Sequence, residues 1–326
     1  MDRRNFLTAA TGTALAVTDT RPTRVGTSDV IRLRSGLDTL MALDDSKGGH
    51  DGLENAALAG ATEALDKLKQ AASQRIRLRL FSLAADYTAT AAWSALDARH
   101  LDRTEQHLHR ALYLAGMAKD PIVELRVWNS FAMLAHQRRQ HPQAVDAGYA
   151  AQATTITRRD PFFASLAHAR TAIGHSNLGD RQAAIRSLGH AQEALNKASH
   201  EPRPSWIAFY GGAELTAISA IVRDRIGDSV RAEADSHKAL AGIPKQFRRN
   251  RALATARLAL AQLHQRDVDQ ACHTASHAFE LMQGDPIPGR MRSLLGDYYR
   301  DLIALAPDAD VAREWGDRYR SEWSRT

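Results

Sequence analysis

An all-α, right-handed solenoid of antiparallel helix pairs is the fold this sequence predicts, and three observations predict it. Pairs of small residues recur about every forty positions, and all ten prolines fall where helices would start or stop. No segment sustains the two-residue alternation of a half-buried strand. Composition agrees: Ala is the commonest residue and aromatics make up only 6% of the 326 residues. An Ala- and Leu-rich chain poor in β-branched residues suits helices packed at short axial distance.

The repeat is clearest at Gly179-Asp180-Arg181-Gln182-Ala183-Ala184, followed by Ala191, and at Gly227-Asp228-Ser229-Val230-Arg231-Ala232, followed by Ala239. Weaker copies place Ala144 with Ala151, Ala271 with Ala278, and Thr104 with Ala111. Two small residues at this spacing after a tight turn mark the second helix of a tetratricopeptide-like unit, where neighbouring helices approach too closely for bulk. The anchors 104, 144, 184, 232 and 271 lie 40, 40, 48 and 39 residues apart, and each follows a small first-helix residue by twelve: Ala92, Ala132, Ala172, Ala220 and Ala259. Proline is an independent check, because inside a helix it costs ~3 kcal/mol. Asp120-Pro121 and Asp160-Pro161 read as helix starts, with an N-capping carboxylate followed by a ring welcome at the first helical position, and they too are 40 residues apart.

These signals predict helices over 28–44, 53–72, 75–98, 101–118, 121–138, 142–157, 161–178, 181–198, 204–226, 228–241, 247–264, 267–283, 288–305 and 308–324. The first and last pairs repeat poorly, as expected of caps that lack one neighbour. Lys47-Gly48-Gly49-His50-Asp51-Gly52 reads as a flexible connection.

Net charge is +6, spread along helical stretches as on a solvated surface. Its densest excess, Lys245, Arg248, Arg249 and Arg251, reads first as a solvated inter-helix joint and second as a contact for an acidic partner or nucleic acid. With one cysteine, Cys272, an internal disulfide is excluded. No run approaches the roughly 20 apolar residues of a membrane span.

The N-terminus carries two readings. Arg3-Arg4-Asn5-Phe6-Leu7, with Ala14-Leu15-Ala16 behind a moderately apolar run, matches a twin-arginine export signal with its cleavage site. The unit is short for a signal, and the run is diluted by Thr8, Thr11, Gly12 and Thr13. The second reading follows from a resemblance. Ala91-Ala92-Trp93-Ser94-Ala95-Leu96-Asp97, running on to Arg110-Ala111-Leu112-Tyr113, and Asp29-Val30-Ile31-Arg32-Leu33-Arg34 with Leu43-Asp44-Asp45 and Gly48-Gly49, resemble the C-terminal tetratricopeptide-like domain of Xre-type helix-turn-helix regulators. The resemblance covers roughly residues 24 to 324. It implies that Arg3 to Leu7 is the linker that precedes the repeats in such proteins. No helix-turn-helix module fits before that linker, so either a stand-alone sensor or adaptor, or a start further upstream, is expected. Direct DNA binding does not carry over. Arg99 and Thr104 stand where such domains show Gly and Ala, so a distorted first repeat is expected. Residues 1–24 thus read as a flexible segment and 25–326 as the repeat domain.

Motifs for chemistry are weak. Gly174-His175-Ser176-Asn177 starts like a hydrolase nucleophile elbow but lacks the second Gly and falls within a helix. His273 and His277 share a helical face beside Cys272, without the further ligands a zinc site needs. No phosphate-binding, dinucleotide or calcium loop occurs. Catalytic residues, metals and cofactors are therefore not expected, and function should lie on the concave face. First-helix positions at fixed offsets from the small residue nominate Asp86 and Trp93; Arg126, Asn129, Met133, His136 and Gln137; Ile173, Ser176 and Asn177; Glu214, Ile221, Asp224 and Arg225; then Leu260 and His264. Amides bridge a peptide backbone, Arg holds carboxylate, and Trp or Met fills side-chain pockets. The expectation is a non-catalytic, cytoplasmic regulator binding a peptide or protein, with homodimerisation left open. The alternative is an exported repeat scaffold.

Overall fold

The computed structural model describes residues 24–47, 51–245, 247–285, 287 and 289–323; the twin-arginine-like stretch and the Gly48-Gly49 connection lie outside them. Fourteen α-helices run through the described residues: α1 (Thr27–Lys47), α2 (Asp51–Lys67), α3 (Gln74–Asp97), α4 (Leu101–Ala118), α5 (Pro121–Gln137), α6 (His141–Ala153), α7 (Pro161–Asn177), α8 (Arg181–Asn196), α9 (Gly212–Arg225), α10 (Ser229–Gly242), α11 (Arg248–His264), α12 (Val268–Leu281), α13 (Gly289–Leu305) and α14 (Asp310–Trp323). Among the described residues no strand forms; Arg24 and Ala71 make one isolated bridge.

Successive helices pack as antiparallel pairs, and the pairs stack into an all-α solenoid. The turn inside each pair carries the repeat. Arg99, Arg139, Gly179, Gly227 and Arg266 all have positive φ, at 65°, 59°, 75°, 81° and 69°. Their separations of 40, 40, 48 and 39 residues are those of the small anchors five positions on. In each turn the next amide bonds back to the carbonyl five residues earlier: His100 to Ala95 (2.8 Å), Gln140 to Ala135 (2.8 Å), Asp180 to His175 (3.1 Å), Asp228 to Arg223 (2.8 Å) and Asp267 to Gln262 (3.1 Å). Arg99 therefore makes the same turn as glycine, and the first full repeat is not distorted. An L-side chain pays for that conformation. Arg266→Gly should stabilise the fold by ~0.5–1 kcal/mol and Gly179→Ala destabilise it by ~1 kcal/mol, read as opposite shifts of the urea midpoint.

The anchors sit where close packing demands them. Thr104, Ala111, Ala184, Ala191, Ala232, Ala239, Ala271 and Ala278 are all fully buried. Between α6 and α7 even alanine is too large: a Cβ on Gly148 would lie 2.6 Å from Thr171 Oγ1 and 3.0 Å from its Cα, and one on Gly174 would lie 2.8 Å from Val145 Cγ2. The helix starts at α5 and α7 also follow from sequence, with Asp120 Oδ1 accepting from the amides of Ile122 (3.0 Å) and Val123 (3.2 Å), and Asp160 Oδ1 from Phe162 (3.0 Å).

One expected helix divides. Residues 204–226 hold a short 3-10 turn, Ser205–Ile207, and then α9 from Gly212. Burial wins over helix continuity here. Ile207 and Tyr210 are buried, and the Tyr210 hydroxyl meets Ser165 Oγ at 2.7 Å while its ring packs edge-on to Phe162. The excursion also accounts for the one 48-residue spacing.

The core lies in three clusters along the solenoid, over α1–α5, α5–α9 and α11–α14. The ribbon closes on itself. The excursion touches α1 through Ser205 Oγ, 3.2 Å from Asp38 Oδ1. Gly289 at the start of α13 lies against the Ala98 carbonyl, where a Cβ would approach to 2.8 Å. Asp97, buried at the end of α3, takes ion pairs from Arg249 Nη1 of α11 (2.9 Å) and Arg290 Nε of α13 (3.1 Å). The basic run at 245–251 is mainly structural: Arg248 donates to the carbonyls of Leu281 and Gln283, and Arg251 to those of Leu240 and Ile243.

Candidate functional site

Closure leaves one large hollow of about 1670 Å³, walled by the first helices α3, α5, α7, α9, α11 and α13. Trp93, Arg126, Asn129, Met133, His136, Gln137, Asn177, Glu214, Asp224, Arg225 and His264 all line it, as do Ile173, Ile221 and Leu260. Asp86 and Ser176 do not; both are buried within the wall. Asp86 accepts from Arg126 Nη1 at 2.6 Å and from Arg34 at 2.8 Å, and Arg126 Nη2 donates to Thr90 Oγ1 at 2.9 Å. The Asp86–Arg126 pair thus braces α3 against α5, and Arg126, although on the wall, is committed to it.

Polar side chains deeper in the hollow are less fully engaged. Arg170 Nε donates to Asn129 Oδ1 at 2.7 Å. Arg225 Nη2 donates to His136 Nε2 at 3.1 Å, while its Nη1 is buried with no hydrogen-bond partner. A guanidinium only donates, so Nε2 accepts and the His136 proton sits on Nδ1; Asn177 Nδ2 lies 3.1 Å from that nitrogen, and the amide accepts the proton once it is turned to place its oxygen there. Gln137 Nε2 donates to the Leu96 carbonyl at 3.3 Å, and its Oε1 is buried without a partner.

Electrostatics divides the two histidines. Burial, then the charges of Arg225 and Arg257, hold His136 well below the usual imidazole range. A hydrogen bond to Asp224 (2.8 Å), aided by Asp301 at 3.4 Å, raises His264, which ties α9 and α13 to α11. The signs therefore oppose. His264 adds stability that is complete below about pH 6.5 and fades as pH rises through its elevated folded value; His136 adds stability present above about pH 6.5 and lost as pH falls through its depressed one. Proton NMR titration should show His136 titrating below, and His264 above, an unperturbed imidazole.

The cations carry the same strain. Burial, and then the neighbouring Arg257 charge, push Arg225 down to about 9; burial pushes Arg257 down to about 10. Both remain charged at neutral pH. Burial also raises Glu214 against the pull of Arg170 and Arg290. Arg225, Arg257 and Glu214 are only half-buried, each keeping a strip of surface toward the hollow.

The offsets used on the sequence missed Arg170 and Arg257. Each lies two residues before its small anchor, Ala172 or Ala259, and the equivalent Thr90, Ser130 and Ile218 also line the hollow. One more offset would have found both. Arg290, stacked over Trp93 at 5.3 Å, sits on α13, which has no anchor to count from.

Elsewhere, Tyr298 reaches Cys272 Sγ in the core at 3.5 Å, while His277 is exposed and bonds Glu280 at 3.0 Å; the two do not converge. Asp51, Glu54 and His100 do approach one another. Arg103 already occupies that corner, 2.7 Å from Asp51 and 3.2 Å from Glu54. No helix among the described residues is long and apolar enough to cross a membrane.

No family model and no curated protein matches the sequence. Among solved structures, the APC/C hetero-tetramer Cut9-Hcn1 contains a chain aligned at 15% identity and a TM-score of 0.42, over 90% of this chain and 54% of that one. This chain therefore spans about half the length of that neighbour.

Proposed function

We propose that the hollow binds an extended peptide or a segment of a partner protein, and that the protein acts by this binding and not by catalysis. The observation that carries the reading is the continuity of the wall: six successive first helices present amides, guanidinia and a few apolar faces to one space of about 1670 Å³. Small-molecule pockets run to ~300–1,000 Å³ and are mostly apolar, so this space suits a longer and more polar ligand. Asn177 and Gln137 are placed to bridge a ligand backbone, while Trp93 and Met133 offer apolar contact.

The resemblance to Xre-type regulators supports a role in transcriptional or developmental regulation, in the cytoplasm and without direct DNA contact. Arg249 and Arg290 are held by Asp97, which leaves them poorly placed to meet phosphates outside the ring. Panning a display library of random dodecapeptides against the purified protein tests the binding role. A recurrent sequence should emerge, whose affinity falls roughly tenfold in Asn177→Ala, about the worth of one hydrogen bond. Recovery of no common sequence would overturn the reading.

A further inference from the structure

Three guanidinia in the hollow form no ion pair with a carboxylate among the described residues. Arg170 bonds only the Asn129 amide oxygen. Arg225 bonds the neutral His136 and keeps Nη1 buried and unpartnered. Arg257 has neither a hydrogen bond nor an ion pair among the described residues, although its charge is felt at both His136 and Arg225. The acids nearby offset the group only in part: Asp224 favours the charges of Arg225 and Arg257, and Glu214 that of Arg170, but burial outweighs both. Asp224 is engaged by His264 and by Ser229 Oγ at 3.1 Å, and Glu214, itself pushed toward neutrality, makes no ion pair. Elsewhere buried arginines are paired, Arg126 with Asp86 and Arg249 with Asp97. A cation largely shielded from water and left without an ion-pair partner is costly, and such groups concentrate where a ligand supplies the missing charge.

We propose that Arg170, Arg225 and Arg257 form an anion subsite at the centre of the hollow that receives a carboxylate of a peptide ligand. The proposal rests on the peptide-binding reading and names the chemistry of what is bound. Guanidinium forks match carboxylate bidentately. The amides of Asn177 and Gln137 line the same space and suit the backbone that adjoins a peptide carboxylate. The carboxylate can come from an Asp or Glu side chain or from the peptide C-terminus.

Four synthetic pools of random octapeptides separate these sources: with or without Asp and Glu, and with free or amidated C-termini. The pool lacking every carboxylate should bind at least tenfold more weakly than the best pool, and the identity of the surviving pools assigns the source. Arg257→Gln breaks no hydrogen bond or ion pair among the described residues and removes a charge that burial disfavours, so it should melt at or above the wild-type temperature while erasing the difference between pools. Lys245→Gln, an equal loss of charge on the exposed surface, should leave that difference intact. Equal binding of all four pools, or an unchanged preference in Arg257→Gln, overturns the proposal alone. Displacement of the bound pool by inorganic phosphate but not by succinate overturns it in favour of a phosphate site. Failure of every pool to bind overturns the peptide reading and the subsite together.

Discussion

Asp97→Ala should lower the stability of the protein by ~3–5 kcal/mol, among the largest effects a single substitution can have here. The carboxylate is buried and receives ion pairs from two arginines, Arg249 and Arg290, that are themselves mostly shielded from water. Removing it leaves two guanidinia facing each other in a poorly solvated joint. The joint matters beyond its local energy, because Arg249 on α11 and Arg290 on α13 hold the late repeats against the end of α3. Loss of Asp97 should therefore lower the urea midpoint and also enlarge the radius of gyration as the ring opens. Arg249→Met added to Asp97→Ala should recover part of the lost stability, since one stranded charge disappears. A single variant as stable and as compact as the wild type would show that the ends do not need this clamp.

How much of this was legible in the sequence depends on the range of the interaction. The repeat register was, because it is local: five positive-φ turns and ten buried anchors follow from spacings within a helix pair. The capped starts at Asp120-Pro121 and Asp160-Pro161 were legible for the same reason. Tyr210 was not, since its burial depends on Ser165 and Phe162, which the sequence places more than forty positions earlier. The clamp was least legible. Asp97 and Arg249 are 152 residues apart, and their meeting depends on the accumulated curvature of the whole solenoid. In the hollow, offsets from small anchors located most of the wall, but spacing says nothing of which polar groups would find partners. Asp86 and Arg126 satisfied each other, whereas Arg225 kept Nη1 buried without a partner.

The close packing that sets the register carries the second large effect. Ala191 in α8 is fully buried, its carbonyl accepts from Ser165 Oγ of α7 at 2.8 Å, and it belongs to the same core cluster as Phe162, Leu215 and Ile218. Ala191→Leu adds three carbons with no cavity to take them, so α8 must move from α7 and strain the Ser165 contact. The expected cost is ~1–3 kcal/mol. The matched control is Ala234→Leu in α10, at an exposed position one turn from no anchor, where leucine has nearly the same helix propensity as alanine and the change should be close to neutral. Comparing urea midpoints of the two variants isolates packing from propensity. The asymmetry follows from the geometry of stacked pairs: one face of each second helix admits only small residues because the neighbouring backbones run within contact of it, while the opposite face meets water. Equal tolerance of leucine at both sites would mean that the small residues at 184, 191, 232 and 239 do not set the spacing between helices.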